Sequence, residues 1–143
     1  MKIKKEAIIL KNRQSVFDIV NNVNFYENFV PYCVGSKIIS EGENLMKAKL
    51  DFDVRGIKTS FTTKNIIKRN ESIKMELVEG PFKQLDGEWR FIEVDNKTII
   101  ELSLNYEVKS KIVDYALGKS LEKISDILVK SFVAESKKSY EKS

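Results

Sequence analysis

Apolar residues recur with a helical period along the C-terminal stretch from Ser110 to Lys142. Spacings of three and four residues place one apolar stripe on a single helix face, formed by Val113, Leu117, Leu121, Ile124, Leu128 and Phe132. The opposite face is charged and carries Lys119, Glu122, Lys123, Asp126, Lys130 and Lys137. At about 1.5 Å per residue such a helix extends for on the order of 50 Å. A stripe of this length needs a partner surface that is nearly as long.

The N-terminal part predicts one strand followed by two short helices. Lys2–Leu10 alternates as a strand does, and its inward residues are Ile3, Ala7 and Ile9. Ser15 and Asp18 have the form of a capping box at the start of a short helix. The buried side of that helix is predicted to be Val16, Ile19, Val20 and Val23. A second helical turn runs from Phe25 to Phe29 and ends at Pro31.

From Cys33 onward the apolar period changes to two, which indicates β-strands. Six strands are predicted at 36–40, 47–54, 57–64, 73–77, 85–91 and 100–108, separated by polar, glycine or proline turns. The alternation is clearest in the second, where Ala48, Leu50, Phe52 and Val54 face inward. Short connections between neighbouring strands imply an antiparallel meander.

These elements predict an α+β protein with a single domain over residues 1–143. An antiparallel sheet of about seven strands curls, and its concave face needs a cover. The C-terminal helix is the only predicted element long enough to provide that cover. A coiled coil is the alternative use of the stripe, and Ser120 and Ser131 interrupt the strict heptad that it requires.

Three stretches resemble a known superfamily: Tyr26–Cys33 with Gly35-Ser36, Gly56-Ile57 with Phe61–Thr63, and above all Leu77–Phe91. They resemble the START-like (SRPBCC) proteins, in the polyketide cyclase and coenzyme-Q-binding branch and nearest to its ribosome-association toxins of the RatA type. The resemblance implies the helix-grip (START/Bet v 1-like) fold, in which a curved sheet wraps a long C-terminal helix and encloses a cavity.

The resemblance implies two functions of different classes. The leading one is binding of ubiquinone or a related isoprenoid quinone or lipid in the cavity, in support of cellular respiration. The alternative is binding of the large ribosomal subunit, as in a toxin–antitoxin system, which blocks subunit joining. The fold is shared by cyclases and lipid carriers as well, so architecture does not choose between them.

Composition restricts the cellular compartment and the partners that either function could involve. A chain of 143 residues with 42% apolar content can build a core without metals or disulfides. It has one cysteine, no secretory signal pattern and no long apolar run, which predicts a cytoplasmic protein, with peripheral contact at the inner membrane as a further option. The net charge of +4 comes from dispersed lysines and arginines, so charge alone names no partner and gives no reason to expect DNA binding.

A quinone or other lipid would contact the inward residues of the sheet and helix. The predicted ligand-binding set is Phe52, Val54, Phe61, Met75, Leu77, Phe82, Leu85, Trp89, Phe91, Leu117, Leu121 and Ile124. The same residues can equally be plain core. The predicted rim of the opening, here called the cavity mouth, is Pro31, Tyr32, Pro81 and Lys83, with Phe82 as its gate or plug. Gly118 should leave free space beside Leu117 and Leu121.

Catalytic chemistry finds little support in the sequence. The chain has no histidine, which excludes a Ser-His-Asp or Cys-His arrangement and histidine metal ligation. Asp51 with Asp53, and Glu101 with Glu107, fall on strand faces that pattern as solvated. Cys33, among aromatic residues and proline, fits a small buried residue better than a nucleophile. We therefore expect a binding protein without catalytic residues, metal site or required cofactor.

The ribosomal alternative needs a cationic surface. The predicted ribosome-binding residues are Lys47, Lys49, Lys58, Lys64, Lys68 and Arg69. An ordinary solvated sheet face explains these residues as well. No aromatic residue is interleaved among the outward positions for stacking on bases, so recognition would be of phosphate and shape.

Overall fold

The computed structural model describes residues 1–110 and 114–142, and its elements follow the predicted order. They are β1 (Lys2–Ile9), α1 (Arg13–Asn21), a 3-10 turn (Val23–Phe25), α2 (Tyr26–Phe29), β2 (Cys33–Gly42), β3 (Leu45–Val54), β4 (Ile57–Lys68), β5 (Ser72–Glu79), β6 (Gln84–Val94), β7 (Lys97–Glu107) and α3 (Asp114–Lys142). Ser110 precedes α3 rather than starting it, and the predicted stripe residue Val113 lies outside the described residues.

All seven strands form one antiparallel sheet in the order β1-β7-β6-β5-β4-β3-β2. The meander from β2 to β7 follows the chain, and β1 joins it at the far side by pairing Lys2 with Asn105 and Ile9 with Thr98. α1, the 3-10 turn and α2 connect the two edge strands, β1 and β2. α3 contacts β1, β3, β4 and β7. This arrangement confirms the predicted α+β helix-grip fold.

The apolar stripe of α3 is buried against the sheet, as its spacing predicts. Leu121, Ile124, Leu128 and Phe132 are buried, and Leu117 is half-buried. Phe132 is fully buried, and its ring centroid lies 5.3 Å from that of Trp89 and 5.3 Å from that of Tyr26. The helix stripe, the sheet and α2 therefore share one aromatic centre.

The start of α1 differs from the predicted capping box. Asn12 is the N-cap, with an extended backbone and a side-chain oxygen that accepts a hydrogen bond from the Ser15 backbone N–H at 2.8 Å. The helix therefore begins at Arg13, and Ser15 lies inside its first turn. Phe17, which the predicted buried side of this helix left out, is also in the core, where it packs edge-on against Phe91 at 5.5 Å.

A smaller group of buried residues closes the sheet at the end where α3 begins. This end cluster consists of Ile3, Phe82, Leu85, Tyr106 and Leu121. The Tyr106 hydroxyl lies 2.9 Å from the point where a Cβ on Gly118 would stand. The glycine in the stripe thus admits the tyrosine, and the expected free space beside it is filled by protein.

Candidate ligand-binding cavity and outer lysine face

A cavity of about 60 Å³ lies between the concave face of the sheet and α3. Six of the predicted ligand-binding residues line it: Phe61, Met75, Leu85, Trp89, Leu121 and Ile124. The other lining residues are Val20, Asn21, Val23, Tyr26, Ala48, Leu50, Thr63, Asn65, Ile73, Gly87, Leu102, Leu104, Ser125 and Leu128. Alternation on five strands and the helix stripe bring these distant positions together.

The other predicted ligand-binding residues are placed around the cavity but not in its lining. They are Phe52, Val54, Leu77, Phe82, Phe91 and Leu117. Phe52 stacks on Phe61 with ring centroids 6.4 Å apart. Leu77 and Leu117 are half-buried beside the end cluster. Their direct role in binding a ligand stays a prediction.

The size of the cavity limits what it holds in this conformation. Sites for small molecules commonly enclose roughly 300–1,000 Å³, whereas a buried water needs only about 10–15 Å³. The observed volume of about 60 Å³ thus accommodates water, and a quinone ring would have to push the walls apart. A ligand would enlarge this cavity rather than enter a ready-made one.

Four lining residues carry an amide or an aliphatic hydroxyl, and none of them is in the predicted ligand-binding set. They are Asn21, Thr63, Asn65 and Ser125. The Thr63 hydroxyl donates to the Asn65 side-chain oxygen at 2.7 Å, and Asn65 is only 6% exposed. The predicted strand stops at residue 64, whereas β4 continues to Lys68. Extending the alternation of Phe61 and Thr63 by one step would have found Asn65.

The residues predicted for the cavity mouth lie at the end of the sheet where α3 begins. Pro31 and Tyr32 precede β2, while Pro81 and Lys83 belong to the β5–β6 loop. The Tyr32 carbonyl accepts a hydrogen bond from the Asp53 N–H at 2.9 Å, which ties its loop to β3. Phe82 is 2% exposed and packs edge-on against Tyr106 at 5.8 Å. In this conformation Phe82 is a plug, and its opening as a gate stays a prediction.

The titratable groups near the core favour binding over acid–base chemistry. Burial raises the pKa of the Cys33 thiol to about 11, although a hydrogen bond with the Gly35 backbone opposes the shift. The thiol is therefore protonated at neutral pH and is a poor nucleophile. Burial also raises the pKa of Tyr26, whose hydroxyl donates to the Val20 carbonyl. No three His, Cys, Asp or Glu side chains within residues 1–110 and 114–142 are grouped so as to hold a metal ion.

Five of the six predicted cationic residues lie on the outer face of the sheet, and only Arg69 lies elsewhere. Lys47 and Lys64 are directly opposite each other on β3 and β4, and Lys49 is opposite Lys37 on β2. We call these four residues the lysine quartet; they lie on the outer face of the sheet, and Lys37 is the member absent from the predicted set. Lys58, across from Asp53, lies at the start of β4, and exposed Lys68 lies at its end.

Arg69 lies apart from the lysine quartet and from Lys58 and Lys68. Its guanidinium lies 3.6 Å from the Asp18 carboxylate and 5.6 Å from the centre of the Phe17 ring. Both partners are on α1, so Arg69 joins the end of β4 to that helix. Its position in sequence next to Lys68 did not reveal this contact.

A curved antiparallel sheet closed by one long helix around an apolar cavity defines a START-like helix-grip protein. The chain belongs to the family of polyketide cyclase/dehydrase and lipid transport proteins, which matches residues 12–133. None of the helices over the described residues is long and apolar enough to cross a membrane.

Similar proteins come from several branches of this superfamily. The ribosome association toxin RatA of Escherichia coli (strain K12) is 33% identical over 139 residues, which cover 96% of this chain and 88% of that protein. The mitochondrial coenzyme Q-binding protein COQ10 of Dictyostelium discoideum is 27% identical over 82% of this chain and 60% of that protein. The crystal structure of the Zhui aromatase/cyclase from Streptomyces sp. R1128 superposes with a TM-score of 0.86 at 18% identity, covering 96% of this chain and 93% of Zhui.

Proposed function

We propose that this protein binds the large ribosomal subunit through the outer face of its sheet and hinders subunit joining, as the RatA type implies. The observation that carries the proposal is the lysine quartet. Its two cross-strand pairs place like charges directly opposite each other, an arrangement that destabilises a sheet. Binding to a polyanion would offset that cost.

The acidic residues around the quartet neutralise only part of its charge. The Lys49 ammonium lies 3.9 Å from the Asp51 carboxylate, and Lys64 is opposite Glu76 on β5. Lys37 and Lys47, by contrast, have no carboxylate directly opposite them on a neighbouring strand. Exposed lysines contact phosphates without reading base sequence, which suits an RNA surface recognised by charge and shape. The RatA relatives, similar over almost the whole chain, support the same function.

Sucrose-gradient profiles of bacterial ribosomes test this proposal. Added protein should shift assembled ribosomes toward free subunits, and it should co-sediment with purified large subunits. A variant in which the quartet is changed to glutamine should lose most of this binding. For this variant, the plot of the logarithm of the binding constant against the logarithm of the salt concentration should be less steep. The slope should change by about 0.7–0.9 for each phosphate that the variant no longer neutralises.

The matched control removes the same charge elsewhere. It carries Lys97→Gln, Lys109→Gln, Lys123→Gln and Lys137→Gln, four exposed positions away from the quartet. The control should retain subunit binding. The proposal is wrong if the parent protein leaves the gradient unchanged at low and moderate salt, or if both variants bind as the parent does.

A second function is favoured by the cavity itself, whose lining is largely apolar with a few polar side chains. We infer that it takes an uncharged lipid such as ubiquinone or a related isoprenoid quinone, in support of respiration, without catalysing a reaction. The coenzyme Q-binding relative supports this function. The small volume of about 60 Å³ is the reason for ranking it second.

Organic extraction of natively purified protein followed by mass spectrometry tests the second function. A quinone or other lipid should co-purify with the parent protein and be reduced in Trp89→Ala, because Trp89 lines the cavity. Preparations that are consistently free of lipid, together with no rise in Tm on adding ubiquinone or menaquinone, would reject it. We propose further that the chain is a cytoplasmic protein that consists of one START-like domain.

A further inference from the structure

Asn65 is a polar side chain in an apolar place. It occupies an inward position of β4, opposite Met46 on β3 and Met75 on β5, and it is only 6% exposed. Burying an amide without hydrogen bonds is unfavourable, because its donors and acceptor lose their water without replacement. Buried amides therefore normally have partners for both their oxygen and their nitrogen.

The hydrogen bonds of Asn65 are incomplete. Its oxygen accepts from the Thr63 hydroxyl at 2.7 Å, whereas its NH₂ group donates to no other group among the described residues. Buried hydroxyls of nearby elements are satisfied by comparison: Thr98 donates to the Lys11 carbonyl, and Ser125 to the Leu121 carbonyl. Because Asn65 lines the cavity and is almost fully buried, its NH₂ group is available to a group bound inside the cavity.

We infer that the Asn65 amide is the recognition point for an acceptor oxygen, such as a ketone or quinone carbonyl, of an uncharged apolar ligand. This inference rests on the second function proposed above. Thr63 holds the amide by its oxygen and so aims the nitrogen, while the apolar walls take the rest of the ligand. Asn65 selects for the carbonyl, and the walls select for an apolar body.

The lining also determines which ligands are excluded. No Lys, Arg, Asp or Glu is among the described residues that line the cavity. An ionised carboxylate or phosphate would lose its hydration there without a counter-charge, which is far costlier than burying a neutral carbonyl. Fatty-acid anions and phospholipid headgroups are therefore disfavoured as the buried end of the ligand.

A trapped water could satisfy the same donor, since the cavity has room for one. The two occupants differ in a measurable way. If the Asn65 NH₂ group donates only to water, the protein should show no preference between a carbonyl ligand and its hydrocarbon analogue. A donor that serves the ligand makes the affinity for the carbonyl compound depend on Asn65.

The test titrates the full-length protein with a short-chain ubiquinone, with the matching prenylbenzene that lacks carbonyls, and with decanoate. Binding is followed by calorimetry and by the fluorescence of Trp89, the only tryptophan in the chain, which lines the cavity. Asn65→Leu should weaken quinone binding by about tenfold, the value of one well-placed hydrogen bond. Prenylbenzene affinity should be equal to or above that of the parent, and decanoate should not bind.

Thr63→Val is a second test variant, which keeps Asn65 but removes the hydroxyl that donates to its side-chain oxygen. It should weaken quinone binding several-fold. Asn105→Leu, exposed on β7, is the control and should change neither affinity. Equal loss of quinone and prenylbenzene, or no loss in either cavity variant, overturns the inference while ligand binding stands. If the parent binds neither compound, the ligand-binding function itself fails, and the inference fails with it.

Discussion

Phe132 is the residue at which α3, α2 and the sheet meet. It is fully buried and its ring contacts Tyr26, Phe29 and Trp89, with centroids 5.3, 6.1 and 5.3 Å away. Phe132→Ala should lower the free energy of unfolding by about 3–5 kcal/mol, because the cavity left behind has walls on several elements. Urea denaturation measures the change.

The matched control for this substitution is Phe25→Ala. Phe25 is 55% exposed, and its truncation should cost under about 1 kcal/mol, as for most surface changes. A loss below about 1 kcal/mol for Phe132→Ala as well would contradict the close packing of this aromatic centre.

Gly87 is a residue where the sheet leaves no room for a side chain. A Cβ there would lie 2.7 Å from the Ser103 carbonyl oxygen and would also meet the end of the Leu104 side chain. Gly87→Ala should destabilise the protein by about 1–3 kcal/mol, since a backbone atom has to move. Gly42→Ala is the paired control, because nothing lies within 4 Å of its Cβ position. Thermal unfolding that shifts equally for both would contradict this account.

Cys33 carries a pH dependence with a definite sign. Its pKa of about 11 when folded exceeds the value of about 8.5 expected when unfolded, so the folded state holds the proton more tightly. This difference in pKa stabilises the folded state fully below about pH 8.5, and the contribution is lost as the pH rises toward 11. Iodoacetamide should therefore label the native thiol slowly until strongly alkaline pH, but label the urea-unfolded chain from about pH 8.5. Rapid native labelling at pH 8 would be inconsistent with the buried thiol.

At the scale of elements, alternation predicted the strands well because each strand has one dry and one wet face. β3 is the clearest example, with Ala48 and Leu50 lining the cavity and Lys47 and Lys49 on the outer face. Strand lengths were less accurate. β2 begins at Cys33 and continues through two bulges, between Cys33 and Gly35 and between Ile38 and Ser40, which break the period that sequence reasoning uses.

The start of α1 was predicted wrongly for a related reason. Two capping residues stand three positions apart, and local sequence does not decide between them. The direction in which the chain leaves β1 does, since Asn12 follows a strand that is fixed by its pairing with β7. Propensity alone could not have supplied that direction.

The two possible caps give different stability predictions. Asn12→Ala should cost about 1 kcal/mol, because its oxygen holds the Ser15 N–H at the helix terminus. Ser15→Ala should change stability by less than about 0.5 kcal/mol, because its side chain is not the cap. Chemical denaturation of both variants measures the difference, and the reverse ranking would restore the predicted capping box.

At the scale of the whole molecule, the sheet separates two candidate functions by face. Ala48→Val adds volume to the cavity wall and a β-branched residue to a strand, so it should stabilise the protein by about 0.5–1 kcal/mol. It should also weaken quinone binding, while the variant should shift ribosome profiles as the parent protein does. Calorimetry and sucrose gradients on the same preparation check both effects. If Ala48→Val instead reduced the effect of the protein on the gradient as strongly as the quartet substitutions do, the two faces would be coupled.

The sequence by itself determined the elements, their order and the curved sheet under a long helix, because each follows from local periodicity and short connections. It also predicted the inward positions of the strands and of the helix stripe, and six of the predicted ligand-binding residues line the cavity. Only the tertiary structure decided the register. Register brings Lys37 opposite Lys49 and places Asn65 among the cavity residues, where its NH₂ group has no partner among the described residues. The tertiary structure also fills the space at Gly118 with Tyr106 and brings Arg69 to α1. Such contacts join residues far apart in the chain, and no local pattern encodes their distances.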